Sequence, residues 1–383
     1  MTALHKPLLS LHIGIEYGTG GEGRVVTELM RSLPAAGFDF QGLVGAPADV
    51  AITTQGQVKS FAPDRANLLT RMVGARRAIG EALQQRKPAI VASHFALYTA
   101  PALDLLRYSR NVSHFHGPWS AESFEEGQRG MALLAKMQIE CAVYRRADRV
   151  IVLSKAFGDL AEETFRVDRN RIRIVPGCVD VDRFAVSETR EECRELLGLP
   201  NSRPLLVSVR RLARRMGLQN LIEAMRTVVR KEPETLLCIG GRGPMQAELL
   251  ALTERYGLSQ NVNFLGFVKE EHLPLLYRAA DINLVPTEAL EGFGLVAAEG
   301  LAAGTPSMVT PVGGLPEVVS GLSSNLIFPS ARPVDIAEAL CQAISRRLPL
   351  PTAEACSAYA RAHFTTKRMA EQTASVYREL LDL

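Results

Sequence analysis

Two glutamates lie close together in a run that also carries closely spaced glycines. Glu291 and Glu299 are separated by seven residues within EALEGFGLVAAEGLAAGTP, residues 288–306. The preceding DINLVPT predicts a short buried strand that ends at Pro286, and an Ala/Leu-rich helix is predicted to begin at Leu295. Glu291 would then lie at the helix entrance, and Glu299 about one turn inside the helix.

The backbone between these glutamates is suited to anions. Residues 292–294 read Gly-Phe-Gly, and at the start of a helix their N–H groups have no intrahelical partner. Carboxylates accept hydrogen bonds from hydroxyl groups, whereas unpaired amides bind phosphate oxygens. The combination predicts a site for a ligand that is part sugar and part phosphate.

A glycine-rich turn, GTGGEG, follows the first strand-like run and precedes a helical pattern. Gly18, Gly20 and Gly23 fit the spacing of a dinucleotide-binding turn, whose glycines let the backbone approach a phosphate closely. An NAD site also needs an acidic residue at the end of the second strand, but that run ends in Ala46–Pro47. This argues against NAD, and a tight structural turn remains the alternative for Gly18.

A basic run, SVRRLARRMG, begins where another buried strand is predicted to end. Its four arginines cannot all lie in a core, and guanidinium groups suit bidentate contact with phosphate. A solvated basic loop is the alternative for any one of them. They are Arg210, Arg211, Arg214 and Arg215.

A histidine follows a strand-like run in HFHGPW. His116 is predicted at the carboxyl edge of a sheet, where open α/β folds bind ligands. A satisfied structural histidine is the alternative. Trp119, the single tryptophan of the chain, could stack on a sugar, but core packing is favoured.

Two successive series of strand-like runs must position these residues. Apolar runs flanked by helical patterns predict parallel sheets covered on both faces. Two series therefore predict two doubly wound α/β domains. The first series is LLSLHIGIEY, FQGLVGA, PAIVASHF, NVSHFHG, DRVIVLS and RIRIVPG, and the second is PLLVSVRRL, TLLCIGG, NVNFLGF, DINLVPT, PSMVTPV and SNLIF.

Composition narrows the class of protein. A chain of 383 residues exceeds one core, and its 47% hydrophobic and 22% charged content is typical of a soluble protein. The net charge of +3 with scattered arginines argues against a nucleic-acid partner. The six cysteines lack metal-finger spacing, which is typical of reduced core residues in a cytosolic protein. Neither a signal peptide nor a transmembrane segment is expected.

The ordered motifs resemble the retaining glycosyltransferases of family four, glycosyl transferases group 1, which have the two-Rossmann-domain GT-B architecture. The resemblance covers nearly the whole chain. It implies an acceptor-binding domain over 1–183, a nucleotide-sugar-binding domain over 184–365 facing it across a cleft, and a C-terminal helix over 366–383 that packs back on the first domain. The motifs are GTGGEGRVVTEL, HFHG, VIVLS, VPGCVDVDRF, VRRLARRMGLQNLIEAM, IGGRGP, FLGFVKEEHLPLLYRAADINLVPT, EGFGLVAAEGLAAGTP and VGGLPEVV.

The resemblance also implies roles for individual residues. Glu291 matches the glutamate that contacts hydroxyls of the donor sugar, and Glu299 matches the one that binds the nucleotide ribose. Arg211 matches the diphosphate arginine, and His116 matches the cleft histidine that contacts the donor sugar. The other implied donor contacts are Gly20 and Gly21 of the glycine loop, the amides of Phe293, Gly294 and Leu295 near the distal phosphate, and the backbone of Phe267–Val268 near the base.

Two departures from the family pattern stand out. The family usually has a lysine, a second diphosphate cation, where this chain has Met216. Arg215 or Arg214 is expected to supply the missing charge. Gly177–Cys178 stands where the family commonly has Asn-Gly, and this change is interpreted as tolerated.

The resemblance implies a cytoplasmic, metal-independent, retaining glycosyltransferase that uses a nucleotide-diphosphate sugar and no cofactor. Arg211, Arg215 and the amides near Gly294 would stabilise the leaving diphosphate. A glycan or polyprenyl-linked acceptor is expected, in exopolysaccharide or lipopolysaccharide assembly. The DVD run at 180–182 is interpreted as structural. A basic amphipathic pattern over 64–87 predicts either a helix that covers the first sheet or peripheral contact with the anionic inner face of the membrane.

Three other functions remain open at this level. A sugar-nucleotide epimerase shares the architecture but is not expected to carry the EGFG loop and its helix. An NAD-dependent oxidoreductase would bind nicotinamide. A non-catalytic nucleotide-sugar-binding protein is the third, and Met216 is its main support.

Overall fold

A computed structural model describes residues 7–14, 17, 20–45, 49–63 and 65–383. The chain divides into two compact units, a first unit of Met1–Gly177 with Thr366–Leu383 and a second unit of Cys178–Thr365. Gly18, Ala46–Pro47 and Asp64, which the sequence analysis discussed, lie outside the described residues.

The first unit is built on a parallel sheet of seven strands in the order β3-β2-β1-β4-β5-β6-β7. Its strands are short and mostly buried, because helices cover both faces of a doubly wound sheet. The strands are β1 Leu8–Gly14, β2 Phe38–Val44, β3 Val58–Ser60, β4 Ile90–Ser93, β5 Asn111–Phe115, β6 Arg149–Val152 and β7 Ile172–Ile174. The helices that follow in chain order are α1 Gly20–Ser32, α2 Val50–Thr53, α3 Leu68–Gln85, α4 Ala96–Thr99, α5 Trp119–Glu125, α6 Met131–Tyr144 and α7 Lys155–Phe165.

The second unit repeats the plan with a parallel sheet of five strands in the order β10-β9-β8-β11-β12. Its strands are β8 Leu205–Val209, β9 Leu236–Gly240, β10 Val262–Gly266, β11 Ile282–Val285 and β12 Ser307–Val309. The helices are α8 Val181–Phe184, α9 Arg190–Leu196, α10 Leu218–Lys231, α11 Gln246–Arg255, α12 Leu273–Ala279, α13 Leu295–Ala302, α14 Leu315–Val319, α15 Pro333–Ile344 and α16 Ala353–His363, and α17 Thr366–Leu381 returns to the first unit.

The two parallel α/β sheets confirm the predicted fold class, and two details differ from the sequence analysis. Strand β3 was not predicted, since VKS at 58–60 is too short and polar to give an apolar run. SNLIF is not a sixth strand of the second sheet. Ser323 accepts a hydrogen bond from the backbone of Asn325 and starts a short 3-10 turn, so only an isolated bridge between Ile327 and Val309 remains.

The division between the units falls after Gly177, six residues before the predicted boundary at 183. Helix α8 belongs to the second unit because it packs against α12, α13 and α16. Phe184 lies 5.9 Å from the ring of Tyr277, and Asp182 pairs with Arg361 at 2.7 Å. Asp180 accepts the backbone N–H of Arg183 at the start of α8, so the two aspartates of the DVD run have structural contacts.

Helix α17 is anchored within the first unit. The Tyr377 ring is fully buried and meets Phe38 edge-on, with 5.3 Å between ring centroids. Glu379 accepts hydrogen bonds from both Arg149 and Arg173. These contacts hold the last helix against β2 as well as against β6 and β7.

Candidate functional site

The second sheet reverses its winding between β8 and β11. Strand β8 pairs with β9 on one side and with β11 on the other, and β11 continues to β12. Loops that leave two such strands diverge, and this opens a crevice at the carboxyl edge of the sheet. Arg210 follows β8 directly, and Glu291 lies in the loop after β11.

Glu291 pairs with a buried arginine at this crevice. The Arg210 Nη2 atom lies 3.0 Å from Glu291 Oε2, with side-chain exposures of 4% and 18%. Thr287 donates a longer hydrogen bond of 3.4 Å to the same oxygen. Burial lowers the pKa of Arg210, and the Glu291 carboxylate opposes that shift. The predicted sugar-binding carboxylate is therefore oriented by a guanidinium.

Arg215 connects the loop after β8 to the loop that carries Glu291 by hydrogen bonds. Its Nη1 donates to the carbonyl of Leu290 at 2.9 Å, and its own carbonyl accepts the N–H of Glu288 at 2.8 Å. Leu290 has a φ of 55°, a left-handed conformation that costs energy for a branched residue. Arg215 thus holds the strained turn just before Glu291.

Two glycines allow these loops to approach closely. A Cβ on Gly217 would lie 1.8 Å from the carbonyl oxygen of Pro286, and one on Gly313 would lie 2.0 Å from that of Glu291. Both glycines also have positive φ, at 72° and 55°. Side chains at either position would push the loops apart.

The remaining arginines of the β8 loop are more exposed. Arg214, with a side-chain exposure of 61%, pairs with Glu248 on α11. Arg211 is exposed and also has an interaction partner. Of the two residues expected to replace the missing lysine, Arg215 is the one that reaches the Glu291 loop.

Helix α13 begins where the sequence predicts. Leu295 is its first residue, Gly294 precedes it without a side-chain cap, and Glu299 lies one turn inside. Glu299 is 5% exposed, and its Oε2 accepts a hydrogen bond of 3.1 Å from the Tyr277 hydroxyl. The Phe293 side chain is buried, so only its backbone could serve a ligand.

The segment after edge strand β10 presents an aromatic ring to solvent. Phe267 is 61% exposed, and the Arg242 guanidinium lies 5.7 Å from its ring centroid. Val268 fits closely over the backbone of Gly240, where a Cβ would lie 2.7 Å from its Cγ2 atom. This places a stacking surface at the carboxyl edge of the second sheet.

In the first unit, His116 ends a chain of hydrogen-bonded side chains. Its Nε2 lies 2.8 Å from His94 Nδ1, and His94 Nε2 lies 2.9 Å from His12 Nδ1. The other end of this hydrogen-bonded row is Ser10, whose Oγ lies 3.0 Å from His12 Nε2. Within the described part of the chain, the buried Nδ1 of His116 has no partner. That nitrogen is the position at which the chain could meet a ligand.

The histidines also form a stack of nearly parallel rings. His94 and His114 lie 4.2 Å apart at 16°, and His94 and His116 lie 5.1 Å apart at 11°. Ring nitrogens of these three residues come within 4.8 Å of one another, close enough to consider a metal ion. Metal ligands point their lone pairs at one centre within their ring planes, which stacked parallel rings do not do. The stack fits a hydrogen-bonded chain better than a metal site.

Burial keeps this stack neutral. Desolvation lowers the pKa of His12 to about 3 and that of His116 to about 4. The pKa values of His94 and His114 are also lowered, first by burial and then by neighbouring histidines. Neutral imidazoles can both donate and accept, so the chain can orient His116 toward a sugar hydroxyl.

A buried carboxylate holds the turn after His116. Glu140 on α6 accepts the N–H groups of Trp119 and Ser120, at 2.6 and 3.0 Å, at the start of α5. Burial raises the pKa of Glu140. Trp119 packs against Phe95 and below Lys136, which agrees with core packing.

Gly20 and Gly21 open helix α1 and are exposed. Among the described residues, no neighbouring atom lies within 4 Å of where a Cβ would stand on either residue. Both glycines therefore leave space for an approaching ligand.

Other features lie apart from these residues. A cavity of about 490 Å³ in the first unit is lined by residues such as Ser93, Asp104 and Asp148 and by none of the predicted site residues. Among the described residues the six cysteines form no disulfide, and no helix has the length and apolar character needed to cross a bilayer.

Sequence reasoning placed Arg215 and Glu291 on loops at one edge of the second sheet and Glu299 in the helix that follows Glu291, and the structure does the same. It missed His12, His94 and Glu140, and of the adjacent pair Arg210 and Arg211 it gave the specific role to Arg211. The only signal for Arg210 was its place in an Arg-Arg pair at a strand end, and the structure shows that the first of the pair turns inward.

Family models match both halves of the chain. A model described as Glycosyltransferase Family 4 matches residues 19–183, and one described as Glycosyl transferases group 1 matches residues 189–363.

Curated relatives match part of the chain. D-inositol 3-phosphate glycosyltransferase of Corynebacterium jeikeium is 36% identical over 219 residues, covering 55% of this chain and 52% of the relative. Mannosylfructose-phosphate synthase of Agrobacterium fabrum is 35% identical over 195 residues, covering 48% and 42%. The chain thus spans about half the length of the curated relatives it matches.

Solved structures resemble the whole chain. Sucrose-phosphate synthase from Thermosynechococcus elongatus superposes with a TM-score of 0.82 at 22% identity, covering 98% of this chain and 99% of that one. HepE from Anabaena, solved in complex with UDP, superposes with a TM-score of 0.78 at 20% identity, covering 98% and 100%. At these identities the likeness shows the fold, which is GT-B.

Proposed function

Since the chain belongs to the family of glycosyl transferases group 1, we propose that it transfers a sugar from a nucleotide-diphosphate donor with retention of anomeric configuration. The observation that carries this proposal is the β8–β11 crevice. There a carboxylate, a buried guanidinium and the start of α13 lie together. Such a set suits hydroxyl groups and phosphate in one ligand.

The donor would bind along the carboxyl edge of the second sheet. Glu291 would accept hydrogen bonds from sugar hydroxyls, and Glu299 from the ribose. The amides of Phe293, Gly294 and Leu295 would face the distal phosphate, as helix starts do for anions. The exposed Phe267 would stack on the base beside the Val268 backbone. HepE, solved with UDP-glucose, is a structural neighbour bound to such a donor.

Stabilisation of the negative charge on the leaving diphosphate would lower the activation barrier of the reaction. As the anomeric carbon becomes oxocarbenium-like, negative charge grows on the phosphate. Arg211, Arg215 and the α13 amides would supply the cations and dipoles that stabilise it without a metal ion. His116 would contact the donor sugar through its buried Nδ1, and the acceptor proton would pass to the departing phosphate oxygen on the same face.

The acceptor is proposed to be a glycan or a polyprenyl-linked sugar, in exopolysaccharide or lipopolysaccharide assembly, by a cytoplasmic protein. A peripheral contact with anionic lipid would suit a lipid-linked acceptor. Leu68, Leu69 and Val73 support it, because these residues at the start of α3 are 53%, 71% and 60% exposed.

Donor hydrolysis measured with a panel of nucleotide sugars tests the proposal. Release of a nucleoside diphosphate from one donor, abolished by Glu291→Ala in a folded variant, is expected. Titration with NAD separates the oxidoreductase alternative. Tight donor binding with no turnover in the presence of any acceptor would favour a non-catalytic nucleotide-sugar-binding protein.

A further inference from the structure

Arg210 is a buried cation whose hydrogen-bonding capacity is only partly used. A guanidinium carries five N–H donors. Its Nη2 meets Glu291 Oε2 at 3.0 Å and Met216 Sδ at 2.9 Å. In the described part of the chain its Nε and Nη1 atoms are buried without a partner. Unpaired donors on a buried charge are costly, so they mark a place where an acceptor is missing.

The position of Arg210 indicates what kind of acceptor is missing. Its partner Glu291 lies at the entrance of α13, which begins after Gly294 with no side-chain cap. A Cβ on Gly294 would lie 3.8 Å from Glu291 Cγ, so this carboxylate adjoins the helix start. The positive end of a helix and an unsatisfied guanidinium both favour an anionic oxygen.

The neighbours of Arg210 explain why it is needed. Met216 is buried and carries no charge, yet its sulfur touches the guanidinium. Arg214 pairs with Glu248 away from this contact, and Arg215 donates to Leu290 O. Arg210, at the end of β8, is therefore the cation that contacts Met216.

We propose that Arg210 binds the diphosphate of the donor and takes the place of a cation at position 216, while it aligns Glu291 for the sugar. A monodentate pair with Glu291 leaves Nε and Nη1 to donate to phosphate oxygens. One guanidinium then links the carboxylate that binds the sugar with the group that leaves. This assignment rests on the proposed function, since it requires a nucleotide-diphosphate donor.

Moving the positive charge from position 210 to position 216 tests the role proposed for Arg210. The variants are Arg210→Met, Arg210→Lys, Met216→Lys and the double variant Arg210→Met/Met216→Lys. Calorimetry gives the Kd of each for UDP, GDP or ADP and for the corresponding monophosphate, and thermal unfolding confirms that each folds. Arg214→Ala is the matched control, because it removes a cation of the same loop that pairs elsewhere.

Arg210→Met is expected to weaken diphosphate binding by roughly 10- to 100-fold, the range for losing charged hydrogen bonds, with a much smaller change for the monophosphate. The double variant is expected to regain most of the loss. Met216→Lys alone is expected to weaken binding or lower the unfolding temperature, because it places two cations in contact. If Arg210→Met fails to fold, Arg210→Lys tests the loss of the guanidinium donors with the charge retained, and the double variant tests whether a cation at position 216 supports diphosphate binding.

The outcomes separate the two proposals. Unchanged diphosphate affinity in folded Arg210→Met, or a double variant that remains as weak as Arg210→Met, overturns the role of Arg210 and leaves the glycosyltransferase function standing. A wild-type protein that binds no nucleoside diphosphate overturns both.

Discussion

Glu299 offers the cleanest test of a single predicted contact. If its carboxylate binds ribose, Glu299→Ala should weaken nucleoside diphosphate binding by about 1–3 kcal/mol, the cost of losing a charged hydrogen-bond partner. Calorimetry measures this directly. Tyr277→Phe is the matched control, because it removes the 3.1 Å hydrogen bond to Glu299 from the other side. Equal affinity in wild-type and folded Glu299→Ala protein would limit Glu299 to a structural role.

Arg215 and Arg214 should differ sharply although they are adjacent. The Arg215 side chain donates a hydrogen bond to the carbonyl of Leu290 in the turn before Glu291. Arg215→Ala should therefore lower kcat/KM for the donor at least tenfold, which is about 1.4 kcal/mol. Arg214→Ala should change it less than about fivefold, because an exposed pair with Glu248 contributes about 1 kcal/mol or less. Steady-state kinetics of both variants decides this, and equal small losses would contradict the positioning role.

The buried histidines predict sensitivity to acid. Their folded pKa values lie below the unfolded value of 6.5, at about 3 for His12 and about 4 for His116. The unfolded chain therefore binds more protons between these values. Stability should be complete above pH 6.5 and fall as the pH falls toward 4, by up to about 1.4 kcal/mol per pH unit for each such proton.

Urea unfolding between pH 4 and 7.5 measures this dependence. His12→Gln should flatten it, whereas His272→Gln should leave it unchanged because His272 is half exposed at the surface. Identical pH profiles for wild type and His12→Gln would mean that the stack does not control acid stability.

Elements with long apolar or glycine-marked patterns were predictable, and short or polar ones were not. Helix α13 and strand β11 follow from an apolar run, a proline and glycine spacing. Strand β3 could not be predicted in this way, because its three residues pair only along the edge of β2. SNLIF has the residues of a strand, but a serine cap turns its backbone before a ladder can form. Local hydrogen bonds of this kind are invisible to apolar periodicity.

Helix α3 covers the first sheet, and the membrane interpretation of its amphipathic pattern concerns its exposed first turns. Ile79 is fully buried against the first sheet, and Arg76 is held by Asp104. The part of the helix around Ile79 therefore covers the sheet. Its first turns nevertheless expose Leu69 and Val73, so any membrane contact belongs to that end alone.

Flotation with anionic liposomes tests this end of α3. Wild-type protein should float at low salt and less at high salt, because both apolar insertion and basic residues contribute. Leu69→Ser with Val73→Ser should reduce flotation severalfold. Leu196→Ser, which removes an exposed leucine of the second unit, is the control. Absence of flotation at both salt concentrations would leave α3 with the covering role only.

At the scale of the whole molecule, two series of strands and the order of the motifs were enough to predict a GT-B fold. The contacts that individual side chains make could not be predicted in this way. Arg210 and Arg211 are adjacent residues of the same type, and only the packing of β8 against its neighbours shows which guanidinium is buried with Glu291. Likewise, the hydrogen-bonded side chains from Ser10 to His116 lie on or just after three strands, β1, β4 and β5. These strands are neighbours only because of the strand order of the sheet.

The central claim is sugar transfer with retention. An inverting enzyme needs a general base opposite the leaving group, whereas the residues proposed here bind hydroxyls and stabilise phosphate charge. His116 is a poor base because burial lowers its pKa to about 4. An α-linked gluco- or galacto-configured nucleotide sugar should therefore give an α-linked product. Proton NMR of the new anomeric centre decides the question. A small coupling between H1 and H2 is predicted, and the large coupling of a β-linked product would contradict the roles of Glu291 and His116.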